Sequence, residues 1–374
     1  MKRVRRTRKL RAAAPTGARS AAVAGAASLS VFLLTSAASA QTAPDAATEE
    51  AHWSLGPAPT PSPLAEGTMS LGGHQFLVPA SFPTSFVATF FSIRLRAALH
   101  ESPDLPTEAG SFSPSNLGVG PRLDASFKIT DWAGVFAILR MSAVVGSNLP
   151  GLVYTGESFN GTAAAGVIFR LLRLDATGTQ ASLRLNGSYA NGMSLSVFPL
   201  LTQAVVPTVR TVLQGQLGDL IRTPFNEWEA VGDLTLAQAL TPFFSLQAFV
   251  GEGVSGAQIQ PFDVRQGRLT ESATNGFFHT GVGFEADASP ARIPIAGLLE
   301  YTVGQEPSVV ELLPQTSNPW IHGISLGVYY SGARDLQLGL IGGLQLGYGG
   351  LTSAVGTSGA PFTEFGELVL MHIW

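Results

Sequence analysis

From residue 87 onward the chain repeats one pattern: large apolar side chains at every second position, with charged or small residues between them. In VATFFSIRLRAAL (87–99), Thr89, Phe91, Ile93, Leu95, Ala97 and Leu99 share one face. Ser92, Arg94, Arg96 and Ala98 share the other. LGVGPRLDASFKI (117–129) repeats it, with Leu123, Ala125, Phe127 and Ile129 against Arg122, Asp124, Ser126 and Lys128. Alternation of this kind belongs to a strand, because successive side chains of extended backbone point to opposite faces.

Only 13% of the residues are charged and the mean hydropathy is positive, a membrane-like composition. Yet almost no window offers the roughly 20 uncharged apolar residues that a spanning helix needs. The exception, Leu336 to Gly356, is rich in Gly, and its large residues begin by alternating. Membrane-like composition without membrane helices leaves a closed barrel, since nothing else satisfies the backbone in lipid. The expected fold is therefore all-β, a closed antiparallel transmembrane β-barrel of about 12 strands. The spacing predicts them at 87–99, 117–129, 135–145, 163–174, 180–189, 227–237, 243–251, 277–287, 293–303, 320–330, 336–348 and 365–374. Short turn-like links (DWAG, DATGT, QALTP, ASPAR, SGARD) alternate with long connections, as short periplasmic turns alternate with long external loops in such barrels. Tyr189, Trp228, Tyr301, Trp320 and Tyr348 fall at loop-side strand ends, and Phe244, Tyr330 and Trp374 at turn-side ends, as two interfacial girdles require.

Residues 1–40 read as a secretory signal peptide: eight basic residues without an acid, an apolar core, then Ala38-Ser39-Ala40 before the expected cut. Without those eight, 14 Lys and Arg face 26 Asp and Glu, a net charge of −12, which argues against nucleic acid as a partner. Residues 41–86 read as a periplasmic lead-in and possible plug, 41–67 being Ala/Pro/Thr-rich and 69–86 more apolar. Residues 87–374 form the barrel. PTVRTVLQGQLGDLIR (207–222), in the longest connection, carries Val209, Val212, Leu213, Leu217, Leu220 and Ile221 on one helical face, so it could cap the mouth or fold inward.

Strand parity turns Arg94, Arg96, Arg122, Arg140, Arg170 and Arg184 inward from strands one to five, with Asp124 among them. Glu227, Glu229, Asp233, Glu285 and Glu300 come from strands six to nine, with no internal base. An outward Arg at mid-bilayer costs roughly 2–4 kcal/mol. One on each of five strands would cost about 10–20 kcal/mol, more than the net stability of most domains, about 5–15 kcal/mol. These twelve charges are the expected pore lining, a basic wall facing an acidic one.

The terminal FGELVLMHIW resembles the C-terminal strand of Gram-negative outer-membrane barrels, where Leu368, Leu370 and a final Trp374 would form the signal read by the barrel-insertion machinery; His372 departs from that pattern. The opposed charged walls are similar to those of general diffusion porins, and the segment 69–86 to the N-terminal hatch of fatty-acid-type transporters, which have more strands. These resemblances imply an outer-membrane channel or facilitator for passive transport of a small solute. The alternative is a non-conducting barrel that binds a partner through its loops. His100-Glu101-Ser102 with Asn116 resembles the His and Ser of outer-membrane phospholipase, but parity turns both His100 and Ser102 inward, so a lipase or deacylase is the minor alternative and no enzyme is expected. The six His (52, 74, 100, 279, 322 and 372) show no paired spacing, and no nucleotide or dinucleotide fingerprint occurs, so neither metal nor cofactor is expected.

Overall fold

The computed structural model describes residues 69–101, 105–107, 110–154, 156–196, 221–263, 266–305, 320–333, 335–348 and 362–374. The expected signal peptide, the segment 41–67, Ser102 and nearly all of 207–222 lie outside the described residues.

Twelve strands form one closed antiparallel barrel. They are β1 (Phe90–Glu101), β2 (Ser115–Lys128), β3 (Ala133–Gly146), β4 (Glu157–Leu174), β5 (Thr179–Leu195) and β6 (Arg222–Ala239). Then follow β7 (Phe244–Ile259), β8 (Glu271–Asp287), β9 (Ile295–Gln305), β10 (Trp320–Tyr330), β11 (Leu336–Tyr348) and β12 (Phe362–Ile373). Each pairs with its sequence neighbours, and β12 closes on β1 with Leu368 opposite Leu95 and Glu367 opposite Arg96. Every expected strand is present, including β11 in the window where a helix was conceivable. An outer-membrane-type barrel is the fold.

The boundaries need correction at both ends. Val87, Ala88 and Thr89 precede the first strand, which begins at Phe90. On the loop side, β4, β5, β6, β7 and β8 run several residues past the expected limits. These extensions (ESFNGT in β4, EGVSGAQI in β7) are polar and Gly-rich, so they lack the apolar period that marks a lipid-facing strand.

The outer surface is apolar: Leu95 is 56% exposed and Leu340 66%, with Phe91, Leu139, Leu299 and Leu326 also outward. Tyr189, Trp228, Tyr301 and Trp320 are exposed near the loop ends, Phe244, Tyr330 and Trp374 near the turn ends. Short links close the turn side. Thr130 and Ala133 exchange backbone bonds in one, and Gly178 takes φ 64°, a conformation that favours glycine, before its carbonyl receives Ala239 N–H at 2.7 Å in another.

The core is inside the barrel. Residues 69–89 enter on the turn side and run through the lumen, where Leu71, Phe76, Leu77, Phe86 and Ala88 are buried. One apolar cluster joins Met69, Leu71, Phe76 and Phe86 to Ala237, Ala239, Met371 and Ile373 of the wall. That explains the apolar inner face of β12. A second joins Leu77 and Ala80 to Leu298, Tyr329, Ile341 and Val369. Burying each large side chain contributes roughly 1.5–3 kcal/mol, so the N-terminal segment is the core that a barrel this narrow requires.

Candidate functional site

The register puts all twelve expected pore-lining charges on the inner face. Opposite partners in an antiparallel pair share a face, and the chain of partners runs Arg94–Arg122–Arg140 across β1, β2 and β3 and Arg184–Asp233 across β5 and β6. Arg170 lies on β4 near its turn end, just before a bulge at Arg170/Leu172. Glu227 and Glu229 lie on the loop-side half of β6, half-buried.

Six of the twelve are buried, and the lumen segment bonds four of them directly, Arg94, Arg184, Glu285 and Glu300. Arg94 (3% exposed), Asp124, Arg184, Asp233, Glu285 and Glu300 are buried. Residues 70–75 pair with one another, but the extended stretch 77–85 does not, so its N–H and C=O groups must find partners elsewhere. The wall supplies them. Glu285 accepts Leu77 N–H at 3.0 Å, and Glu300 accepts Ala80 N–H at 2.9 Å and Ser81 N–H at 3.2 Å. Gln337 accepts Val78 N–H at 3.2 Å. In the other direction, Arg94 donates to Pro79 O at 3.0 Å, Tyr329 to Val78 O at 3.2 Å, and Gln180 and Ser182 each to Ser85 O at 2.6 Å. Gln247 reaches both Leu77 O and Glu285. The basic and acidic walls thus face a shared strand of backbone rather than one another across water.

Two residues outside the expected set complete the network. Glu367 of β12 accepts from Arg94 at 3.3 Å and from Arg96 at 2.8 Å. Its inward parity was readable; its adjacency to β1 arises only when the last strand closes on the first. His279 of β8 is a base on the side where none was expected, and its Nε2 lies 2.6 Å from Asp233 Oδ1. Phe249 packs edge-on to that ring and stacks on Phe82 of the lumen segment.

Above the segment, on the loop side, a recess of about 200 Å³ opens between β1, β2 and β3. Arg94, Arg96, Arg122 and Arg140 line it with Glu367. Asp124 receives Arg122 Nε at 2.7 Å and forms an ion pair with Arg94 at 3.2 Å that lacks hydrogen-bond alignment. The β2–β3 ladder is interrupted there: pairing resumes on either side, but Gly120 and Pro121 have no partners on β3. Pro121 has no N–H to give, and a Cβ on Gly120 would collide with the Met141 carbonyl oxygen.

Of the residues behind the minor hydrolase alternative, His100 and Asn116 are described and Ser102 lies outside the described residues. His100 Nδ1 sits 2.8 Å from Thr363 Oγ1 of β12, and Asn116 is buried on β2 opposite His100. Leu368 and Leu370 face outward, and Trp374 packs near Phe91, Phe127 and Val135 on the outer surface.

No protein-family model matches the chain, and no curated protein matches it by sequence. Solved structures align with it at low sequence identity. An outer membrane channel from Pseudomonas putida F1 aligns over 80% of this chain and 100% of its own, at 9% identity and TM-score 0.45. The translocator domain of the autotransporter NalP from Neisseria meningitidis aligns over 76% and 88%, at 8% identity and TM-score 0.46. The P. putida toluene transporter TodX aligns over 76% and 88%, at 12% identity and TM-score 0.35.

Proposed function

We propose that the chain is an outer-membrane channel or facilitator for small solutes, exported to the envelope of a Gram-negative bacterium and gated by its own lumen segment. The observation that carries this reading is how that segment is held. Its turn-side part, around Met69, Leu71, Phe76 and Phe86, is anchored by apolar packing. The stretch 77–85 is held largely by wall side chains bonding its backbone. Such hydrogen bonds contribute about 0.5–1.5 kcal/mol each, and about 1.5–3 kcal/mol where the wall group is charged. A local shift of 77–85 would open a path lined by Arg and carboxylate while the anchor stays in place. No catalytic step is part of this reading.

The filled lumen also favours a second reading, a non-conducting barrel. Planar-bilayer recording separates them. Stepwise currents from refolded protein, with ion selectivity moved towards cations by Arg140→Glu, support the channel. Silent bilayers from folded protein, both for the native chain and for Glu300→Ala, support the closed barrel instead.

A further inference from the structure

The row Arg94–Arg122–Arg140 places three guanidinium groups side by side on three adjacent strands. Like charges directly opposite one another are destabilising, so the row calls for anions. Two carboxylates answer. Asp124 serves Arg94 and Arg122, and Glu367 serves Arg94 and Arg96. Four cations against two anions leave an excess of two positive charges around one recess. Arg140 is the residue left over: exposed, and making no hydrogen bond or ion pair among the described residues. Its neighbours by charge include Arg96, Asp124 and Glu229.

The recess is not uniformly polar. Ala98 and Val144, on the inward faces of β1 and β3, line it too. Its volume, about 200 Å³, falls below the roughly 300–1,000 Å³ of pockets for drug-sized ligands. A guanidinium fork matches a carboxylate in a bidentate pair, whereas an apolar floor gives nothing to a fully hydrated inorganic ion. The geometry points to a binding site for a small organic carboxylate, its charged end on the Arg140 fork and its apolar body over Ala98 and Val144. This rests on the reading of the lumen as a solute path and names the class of solute; binding without conductance would sink the path and leave the site standing.

Titration calorimetry of the full refolded chain in detergent, with benzoate as probe, tests the assignment; benzyl alcohol and inorganic phosphate are the comparison ligands. Benzoate is expected to bind, benzyl alcohol to give no saturable heat, and phosphate to bind more weakly than benzoate. Arg140→Gln should weaken benzoate by about tenfold or more, the loss of one charged hydrogen-bonded pair. Because Arg140 makes no contact that the fold needs, this variant should keep the wild-type shift between heated and unheated gel samples. Arg140→Lys, which retains the charge and loses the fork, should fall between the two. No benzoate binding, equal binding by Arg140→Gln, or phosphate binding as tight as benzoate overturns the proposal.

Discussion

Glu300 of β9 accepts the backbone N–H of Ala80 at 2.9 Å, a contact that joins residues 220 apart in sequence and fixes the middle of the lumen segment to the wall. The other oxygen of the same carboxylate takes Ser81 N–H at 3.2 Å and Ser325 Oγ–H at 2.7 Å. One side chain thus satisfies three donors.

Truncating Glu300 should loosen the segment more than it loosens the barrel. Glu300→Ala leaves the buried Ala80 N–H without an acceptor, a loss of about 1–3 kcal/mol, and frees the part-buried Ser81 N–H as well. The twelve-strand ladder is untouched, so the expected result is a folded barrel with more frequent or larger conductance steps. Protease cleavage within 77–85 should also quicken. An unchanged current together with unchanged cleavage would mean that Glu300 does not hold the gate.

Arg94 and Glu367 form the second test. Arg94 is 3% exposed, is bonded to Pro79 O and Glu367, and lies within ion-pair distance of Asp124. Removing Arg94 leaves the buried Glu367 and Asp124 with one cation each instead of two, a loss of up to about 3–5 kcal/mol, whereas replacing the pair by apolar groups of similar volume costs much less. Arg94→Met should therefore lower the unfolding midpoint in urea sharply. Arg94→Met combined with Glu367→Leu should recover part of that loss, provided Arg96 tolerates losing its partner. Additive losses in the double variant would show that the two side chains act independently.

How far these features could be read in advance depended on the period. The wall obeys a two-residue repeat wherever its outer face meets lipid, so the strands, their order and the inward direction of Arg94 to Glu300 were legible from alternation alone. Where lipid ends, the repeat ends: EGVSGAQI of β7 carries no such signal although it is strand. The segment 69–86 was visible as apolar, but its hydrogen bonds to Glu285, Gln337 and Glu300 follow no period, since an extended chain inside a barrel meets a different strand every residue or two. Glu367 escaped for a related reason, being a neighbour of Arg96 only through closure of β12 on β1.

The Oγ atoms of Ser81 and Ser325 lie 3.4 Å apart, one on the lumen segment and one on β10. The native chain has no cysteine, so a Ser81→Cys, Ser325→Cys variant would contain a single possible intramolecular bridge. Oxidised, it should pin the segment and suppress conductance; reduced, it should conduct as the native chain does. A current indifferent to reductant would place the ion path away from residues 77–85.

Gly120 offers a test of the wall itself. Its neighbour Pro121 withholds a donor from the β2–β3 ladder, and the Met141 carbonyl oxygen sits where a Cβ of residue 120 would go. That atom belongs to backbone and cannot rotate away, so Gly120→Ala must push β3 outward. Overpacking of this kind costs about 1–3 kcal/mol. The expected outcome is a barrel that still folds but unfolds at lower urea concentration. Benzoate affinity should fall along with it, because Arg140 rides on the displaced strand one residue before Met141. Gly342, on the outward face of β11 and meeting only Phe365 O at 3.9 Å, should accept Ala with no comparable loss. Equal destabilisation at both positions would mean that the β2–β3 interruption is not a tight approach.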